Sequence, residues 1–292
     1  MARARMEKQM FVFLIPPLLL LGIPLFCVGF TILLSFTDAT LYGGVGSANF
    51  VGVENYLNLI GDPIFHTSLL NNFIFLFSLV TFPIIIGLVI AIFLSFKVKG
   101  GEAFKALFYF PMILSFVISG TIWSWIFKTS GGLINTALTW VGLGSLSQSF
   151  LSDPSLVMLP LTLVGVWHIL GYPIILFGAG LVDVPEAVVD AARMEASTFR
   201  VYRHVVVPLL KPLILGVTIL AMINAFKVFD LVFIMTYGGP FMSSYVLAFM
   251  VYIEAIARAL LGYGSAVGVA LLVISLACIA AVIYAATREE GQ

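Results

Sequence analysis

The chain has 292 residues, of which 61% are hydrophobic and only 10% charged, and its 14 basic and 14 acidic residues cancel at neutral pH. Soluble domains carry roughly 45–50% apolar and about 25% charged residues. A soluble fold of this length cannot bury so much apolar surface, and zero net charge supplies no overall field to recruit nucleic acid. Cys27 and Cys278 lie in apolar stretches towards opposite ends and read as small buried hydrophobes without a disulfide.

A helix needs roughly 20 apolar residues to cross a bilayer core. Six stretches reach that length, at about 10–36, 69–96, 104–127, 156–180, 209–236 and 264–287. They predict an all-α integral membrane protein with six transmembrane helices in a single domain, 1–292. The first stretch follows MARARMEKQ; it is too long for the apolar part of a signal peptide and lacks a small-x-small cleavage site, so it reads as an uncleaved span. Residues 37–68 predict a turn and then a short interfacial helix. Residues 128–155 read similarly, with Trp140 at headgroup level. Pro83, Pro111 and Pro173 are expected to kink or break their spans. Gly264 and Gly268 form a small-xxx-small pair that favours close helix packing.

Six spans put both termini on one side of the membrane. With that side inside, the inner segments hold Arg3, Arg5, Lys8, Lys97, Lys99, Lys105, Arg193, Arg200, Arg203, Lys211 and Arg288, while the outer ones hold only Lys128 and Arg258. The excess of inner basic residues predicts cytoplasmic termini.

The polar stretch from Leu181 to Pro212 then also lies inside. It concentrates Asp183, Glu186, Asp190, Glu195, Arg193, Arg200, Arg203 and Lys211 in a chain otherwise poor in charge. Asp183-x-x-Glu186 has capping-box spacing, with Pro185 in the expected first turn. Ala187, Ala191, Ala192 and Ala196 give a slim helix, and Asp190 stands three residues before Arg193, a spacing at which the two can pair. A second short helix is expected from Ser197 or Thr198, with Pro208 and Pro212 marking its end. The residues alone leave a simple connector and a partner-docking element both open.

In the fifth span Asn224, Lys227 and Asp230 follow one another at i, i+3 steps, on a shared arc of a continuous helix. Charge at mid-bilayer is costly, so such groups face protein or water, pair with each other, or reach for the interface. At 1.5 Å per residue Asn224 lies about 18 Å beyond Pro212.

The segment VPEAVVDAARMEASTFRVYRHVVVPLLKP resembles the EAA loop of ABC-type importer permeases. Pro185, Asp190-Ala191-Ala192, Glu195-Ala196 and Pro208 fill the pattern. Asp190 stands for the usual Glu, Glu195 for the usual Asp, and Ala196 for the usual Gly, which suggests a straighter turn there. FVGVENYLNLIGDPIFHTSLLNNFIF, FKALFYFPMILSFVISGTIWSWIF, FKVFDLVFIMTYGGP and GYGSAVGVALLVI resemble the carbohydrate-uptake branch of the same family.

The resemblance implies a permease half-pathway in a prokaryotic inner membrane, beside a homologous second permease. Two ATP-binding subunits would serve it, and an extracytoplasmic substrate-binding protein would deliver substrate. Residues 181–208 would form the coupling loop, with Pro185, Glu186 and Glu195-Ala196 in its framework. Asp190 would contact the ATPase with Arg193 in support, and Ala191, Ala192 and Met194 would pack into its groove. No G-x-x-x-x-G-K-[ST] phosphate loop occurs, so ATP and magnesium are expected on a separate chain and no enzyme activity or cofactor on this one. Substrate contacts would come from Gly171 and Ile174 before the loop and Asn224, Ala225 and Val228 after it, with Lys227 and Asp230 on the same pathway. Trp167, His168 and Tyr172 lie on the preceding span, where packing competes with a sugar-stacking role.

Two other classes compete. A self-sufficient six-span carrier or channel would show threefold Pro-x-acid-x-x-basic repeats or paired Asn-Pro-Ala motifs. An intramembrane enzyme would show a catalytic Ser/His, an Asp pair or a metal cluster. Neither pattern is visible in the sequence.

Overall fold

The structure is a computed structural model that describes residues 19–96 and 100–290. The described residues are helical, apart from turns and one isolated antiparallel bridge between Thr37 and Phe50. In chain order the helices are α1 (Leu19–Leu34), α2 (Glu54–Gly61), α3 (Pro63–Ser95), α4 (Gly101–Ile113), α5 (Phe116–Ile126), α6 (Leu133–Trp140), α7 (Met158–Ile169) and α8 (Gly171–Val182). There follow α9 (Glu186–Glu195), α10 (Thr198–Val201), α11 (Val207–Leu209), α12 (Lys211–Phe226), α13 (Asp230–Met235), α14 (Leu247–Tyr252) and α15 (Leu261–Glu290).

Four segments are long and apolar enough to cross a membrane: Pro63–Ser95, Met158–Val182, Lys211–Met235 and Leu261–Arg288. They match four of the expected spans to within a turn or two. The expected straight span at 104–127 is instead two helices bent by 101°. Pro111 withholds an N–H from the last turn of α4, and Leu114 and Ser115 are extended. Ser115 Oγ then accepts the Ile118 N–H at 3.2 Å, capping the new helix start. The expected first span begins outside the described residues, and α1 is its described part. The described residues thus support four crossings, or five if the bent pair is one, rather than a demonstrated six. Of the three prolines, Pro83 does not interrupt α3, whereas Pro173 follows the break at Leu170.

The chain divides into two compact units, Met1–Asp62 with Met250–Leu272, and Pro63–Phe249 with Val273–Gln292. In the first, polar contacts tie the turns. Asp38 accepts the Asn49 backbone N–H at 2.6 Å and its side-chain amide at 3.0 Å. These hydrogen bonds hold the Asp38 carboxyl below its ordinary pKa. Tyr263 donates to Asp62 at 2.8 Å, and Arg258 pairs with buried Glu254 at 2.9 Å. Gly264 brings α15 against the π-helix Ile253–Ala257, where a Cβ would lie 2.6 Å from the Ala255 Cβ; a Cβ on Gly268, the other member of the expected small-xxx-small pair, would make only an ordinary contact, 3.8 Å from Val251.

In the second unit α3 packs against α7, α8 and α12, and α5 against α13. Fully buried Phe177 of α8 sits between Ala91 of α3 and Val217 of α12. Lipid is as apolar as these side chains, so close packing and polar contacts, rather than transfer out of water, hold such helices together.

Candidate functional site

The polar loop folds as two short helices. α9 runs from Glu186 to Glu195 with Pro185 at its N-cap position. The expected capping box does not form: Asp183 instead ends α8, and no side chain caps α9. The residue before a proline is pushed out of the helical region, so the helix starts after Pro185 rather than at Asp183. Glu186 in the first turn and Arg193 in the last complement the helix dipole. The expected Asp190–Arg193 pair is present at 3.4 Å, and both side chains are exposed.

The faces of α9 differ in burial, and Glu186, Asp190 and Arg193 border a cavity together with Val189 and Tyr202. Val189, Ala192 and Ala196 turn inward onto a buried cluster of Val201, Val206 and Leu210. Asp190, Ala191, Arg193 and Met194 turn outward. Ala192 therefore packs in part within this chain. Met194 is 87% exposed, and Phe199 on α10 is 72% exposed. Phe199 is an exposed aromatic residue that the pattern of motif positions does not point to; its only sequence signal is an aromatic side chain in a polar loop.

Ala196 is extended at φ −140°, ψ 153°, and Ser197 at φ −62°, ψ 152°, so the chain breaks fully between α9 and α10. The turn is not straightened by the alanine, because neither conformation needs glycine. α10 starts at Thr198, as expected, and passes into a π-turn, Tyr202–Val206, before α11. The Tyr202 ring lies tilted against Phe96, centroids 5.4 Å apart, and its hydroxyl lies 3.3 Å from Ser95 Oγ, tying the loop to the end of α3.

The second candidate region is at the end of α12. This helix stops at Phe226, and Lys227–Phe229 interrupt it before α13. Asn224, Lys227 and Asp230 therefore do not share one continuous helical arc. The break still brings them together: with Val228, Phe229, Leu231 and Phe116 they line a cavity of about 210 Å³. Asn224 donates its side-chain amide to the Leu220 carbonyl at 2.9 Å. Lys227 and Asp230 do not pair with each other within 4.0 Å.

Phe116 is a second residue that sequence reasoning missed. It enters the cavity because α5 restarts just before it, after the bend. Its ring also stacks on buried His168 at 3.8 Å, and His168 Nδ1 lies 3.1 Å from Ser119 Oγ. His168 is thus a packed, hydrogen-bonded core residue. Trp167 lies against Trp123, with ring centroids 5.4 Å apart. The remaining expected pathway residues are not gathered at the cavity. Ala225 is fully buried, Ile174 borders a different cavity, and a Cβ on Gly171 would meet the Phe108 carbonyl at 2.7 Å. Gly171 therefore serves close approach of α8 to α4.

No protein-family model matches the chain. Individual relatives do. It is 35% identical over 280 residues to a probable ABC transporter permease protein of Pyrococcus horikoshii, covering 95% of each chain. It is 32% identical over 267 residues to the multiple sugar-binding transport system permease protein of Streptococcus mutans, covering 90% of this chain and 89% of that one. A chain in the crystal structure of a bacterial ABC transporter involved in import of the acidic polysaccharide alginate shares the fold, with a TM-score of 0.83 over 97% of this chain and 96% of that chain at 18% identity. Its helices, its polar helix–turn–helix between two spans, and near full-length similarity to these relatives make this multi-pass membrane chain a member of the ABC transporter permease family.

Proposed function

We propose that the whole chain works as one transmembrane domain, the permease subunit of an ATP-driven carbohydrate importer, with its termini in the cytoplasm. It forms half of the translocation path beside a homologous permease. Residues 181–208 dock into two ATP-binding subunits' assembly, which holds ATP and magnesium, so this chain is not itself an enzyme. A separate substrate-binding protein delivers the carbohydrate; an alginate importer of the same fold is known in complex with a periplasmic protein carrying an alginate pentasaccharide.

The observation that carries the docking role is the outward face of the loop. Met194 and Phe199 are large apolar side chains left exposed in the same loop as the exposed Asp190–Arg193 pair. Exposed apolar groups framed by charge are the composition of a protein interface. Contacts from Tyr202 to the end of α3 offer a rigid route from that face to a span. The cavity of Phe116, Asn224, Lys227 and Asp230 offers an aromatic face with donors and acceptors, the combination a sugar ring requires.

ATP-dependent uptake and substrate-stimulated ATP hydrolysis by the reconstituted complex test this reading. Asp190→Lys is expected to abolish uptake, by uncoupling hydrolysis or by preventing ATPase assembly. Transport by the chain purified alone would sink the reading.

A further inference from the structure

The cavity at the end of α12 holds two opposite charges that the backbone keeps apart. Lys227 and Asp230 have the i, i+3 spacing at which Asp190 and Arg193 meet at 3.4 Å on unbroken α9. Here the helix ends between them: α12 stops at Phe226, Phe229 leaves the helical region at φ −136°, and α13 restarts at Asp230. Both residues are exposed, and neither side chain has a hydrogen bond or ion pair with another described residue. They nevertheless line the same space of about 210 Å³, beside the ring of Phe116, which His168 backs at 3.8 Å.

Charges in a spanning segment pair with one another or face water or a ligand. Held apart, the ammonium offers only donors and the carboxylate only acceptors. One hydroxyl can accept from Lys227 while its neighbour donates to Asp230, so a vicinal diol satisfies both. An acidic ligand would satisfy Lys227 and be repelled by Asp230, and an amino ligand would meet the reverse. We propose that the separated pair makes this cavity select a net-neutral polyhydroxylated ring over acidic and amino sugars, with a diol on Lys227 and Asp230 and an apolar ring face against Phe116. This selection rests on the reading of the chain as a carbohydrate permease.

Saturation-transfer NMR on the assembled transporter in nanodiscs, without binding protein or ATP, tests the site. The probes are glucose, galactose and mannose, each beside its uronate and its amino sugar, at a slightly acidic pH where both derivatives are charged. At least one neutral sugar is expected to bind about fivefold more tightly than its charged partners, the upper worth of one exposed charge pair. Asp230→Asn should invert the preference towards the uronate, and Lys227→Gln towards the amino sugar. A misfolded variant does not gain a ligand, so these gains report the site itself. Equal binding of neutral and charged sugars, no binding of any probe, or unchanged preference in both variants would overturn the proposal. Loss of the second permease from either variant would place the charges at a subunit interface and overturn it as well. A wild-type complex that binds the neutral sugar but imports none on ATP hydrolysis would overturn the functional reading and leave the neutral-sugar site standing.

Discussion

Two acid–arginine pairs, one in each compact unit, have nearly the same local spacing and opposite physical settings. Glu254 and Arg258 stand four residues apart at 2.9 Å, with the carboxylate side chain 2% exposed and one of its oxygens without a hydrogen-bond partner. Asp190 and Arg193 stand three apart at 3.4 Å, with both side chains largely in solvent. An exposed pair contributes roughly 0–1 kcal/mol, whereas removing one partner of a buried pair costs about 3–5 kcal/mol because the other charge is stranded. Spacing makes a pair; burial decides whether it holds the fold or stays available to a partner.

The comparison can be broken at the buried pair first. Arg258→Ala is expected to destabilise the protein by about 3 kcal/mol, the lower end of that range because the guanidinium is half in solvent already. Thermal unfolding of the purified protein measures it. Burial raises the Glu254 pKa, against the opposing pull of Arg258, in the short π-helix Ile253–Ala257 outside the candidate spans. The folded state thus holds this proton more tightly than the unfolded chain does. The contribution is present below the ordinary value of 4.5 and is lost as pH rises through the raised folded value. Acidification should therefore restore part of the stability lost in Arg258→Ala, and Glu254→Gln should flatten this part of the pH dependence. A variant as stable as the parent at every pH would show that the pair is not structural.

At the exposed pair the expectation is reversed. Asp190→Lys should leave unfolding nearly unchanged while uptake falls to background, and normal uptake would reduce the pair to a surface contact. Asn224→Leu should lower uptake about tenfold, the worth of one good hydrogen bond, with the complex still assembled. Loss of assembly would assign Asn224 a structural role instead. The smallest effect is expected from Asp190→Ala on stability alone, within about 0.5 kcal/mol.

Much of this was legible in the residues. Long apolar runs bounded by polar turns placed four spans, and the Ser197-Thr198 pair marked where the second loop helix starts, although no Ser197 side-chain cap forms. Legibility failed where backbone breaks redirect side chains. The 101° bend between α4 and α5 and the interruption at Lys227–Phe229 depend on which hydrogen bonds neighbouring helices allow to be lost. Phe116 faces the cavity for that reason, and no periodicity could have announced it.

Composition, charge and spacing by themselves determined that this is a membrane-embedded helical chain with a charged loop between two spans, because the cost of burying charge in lipid leaves few other arrangements. Only the tertiary structure decided which face of that loop is spent on its own core, with Val189, Ala192 and Ala196 inward and Met194 outward, and which polar groups share a cavity. Those choices turn on packing against helices distant in sequence, and local pattern carries no record of them.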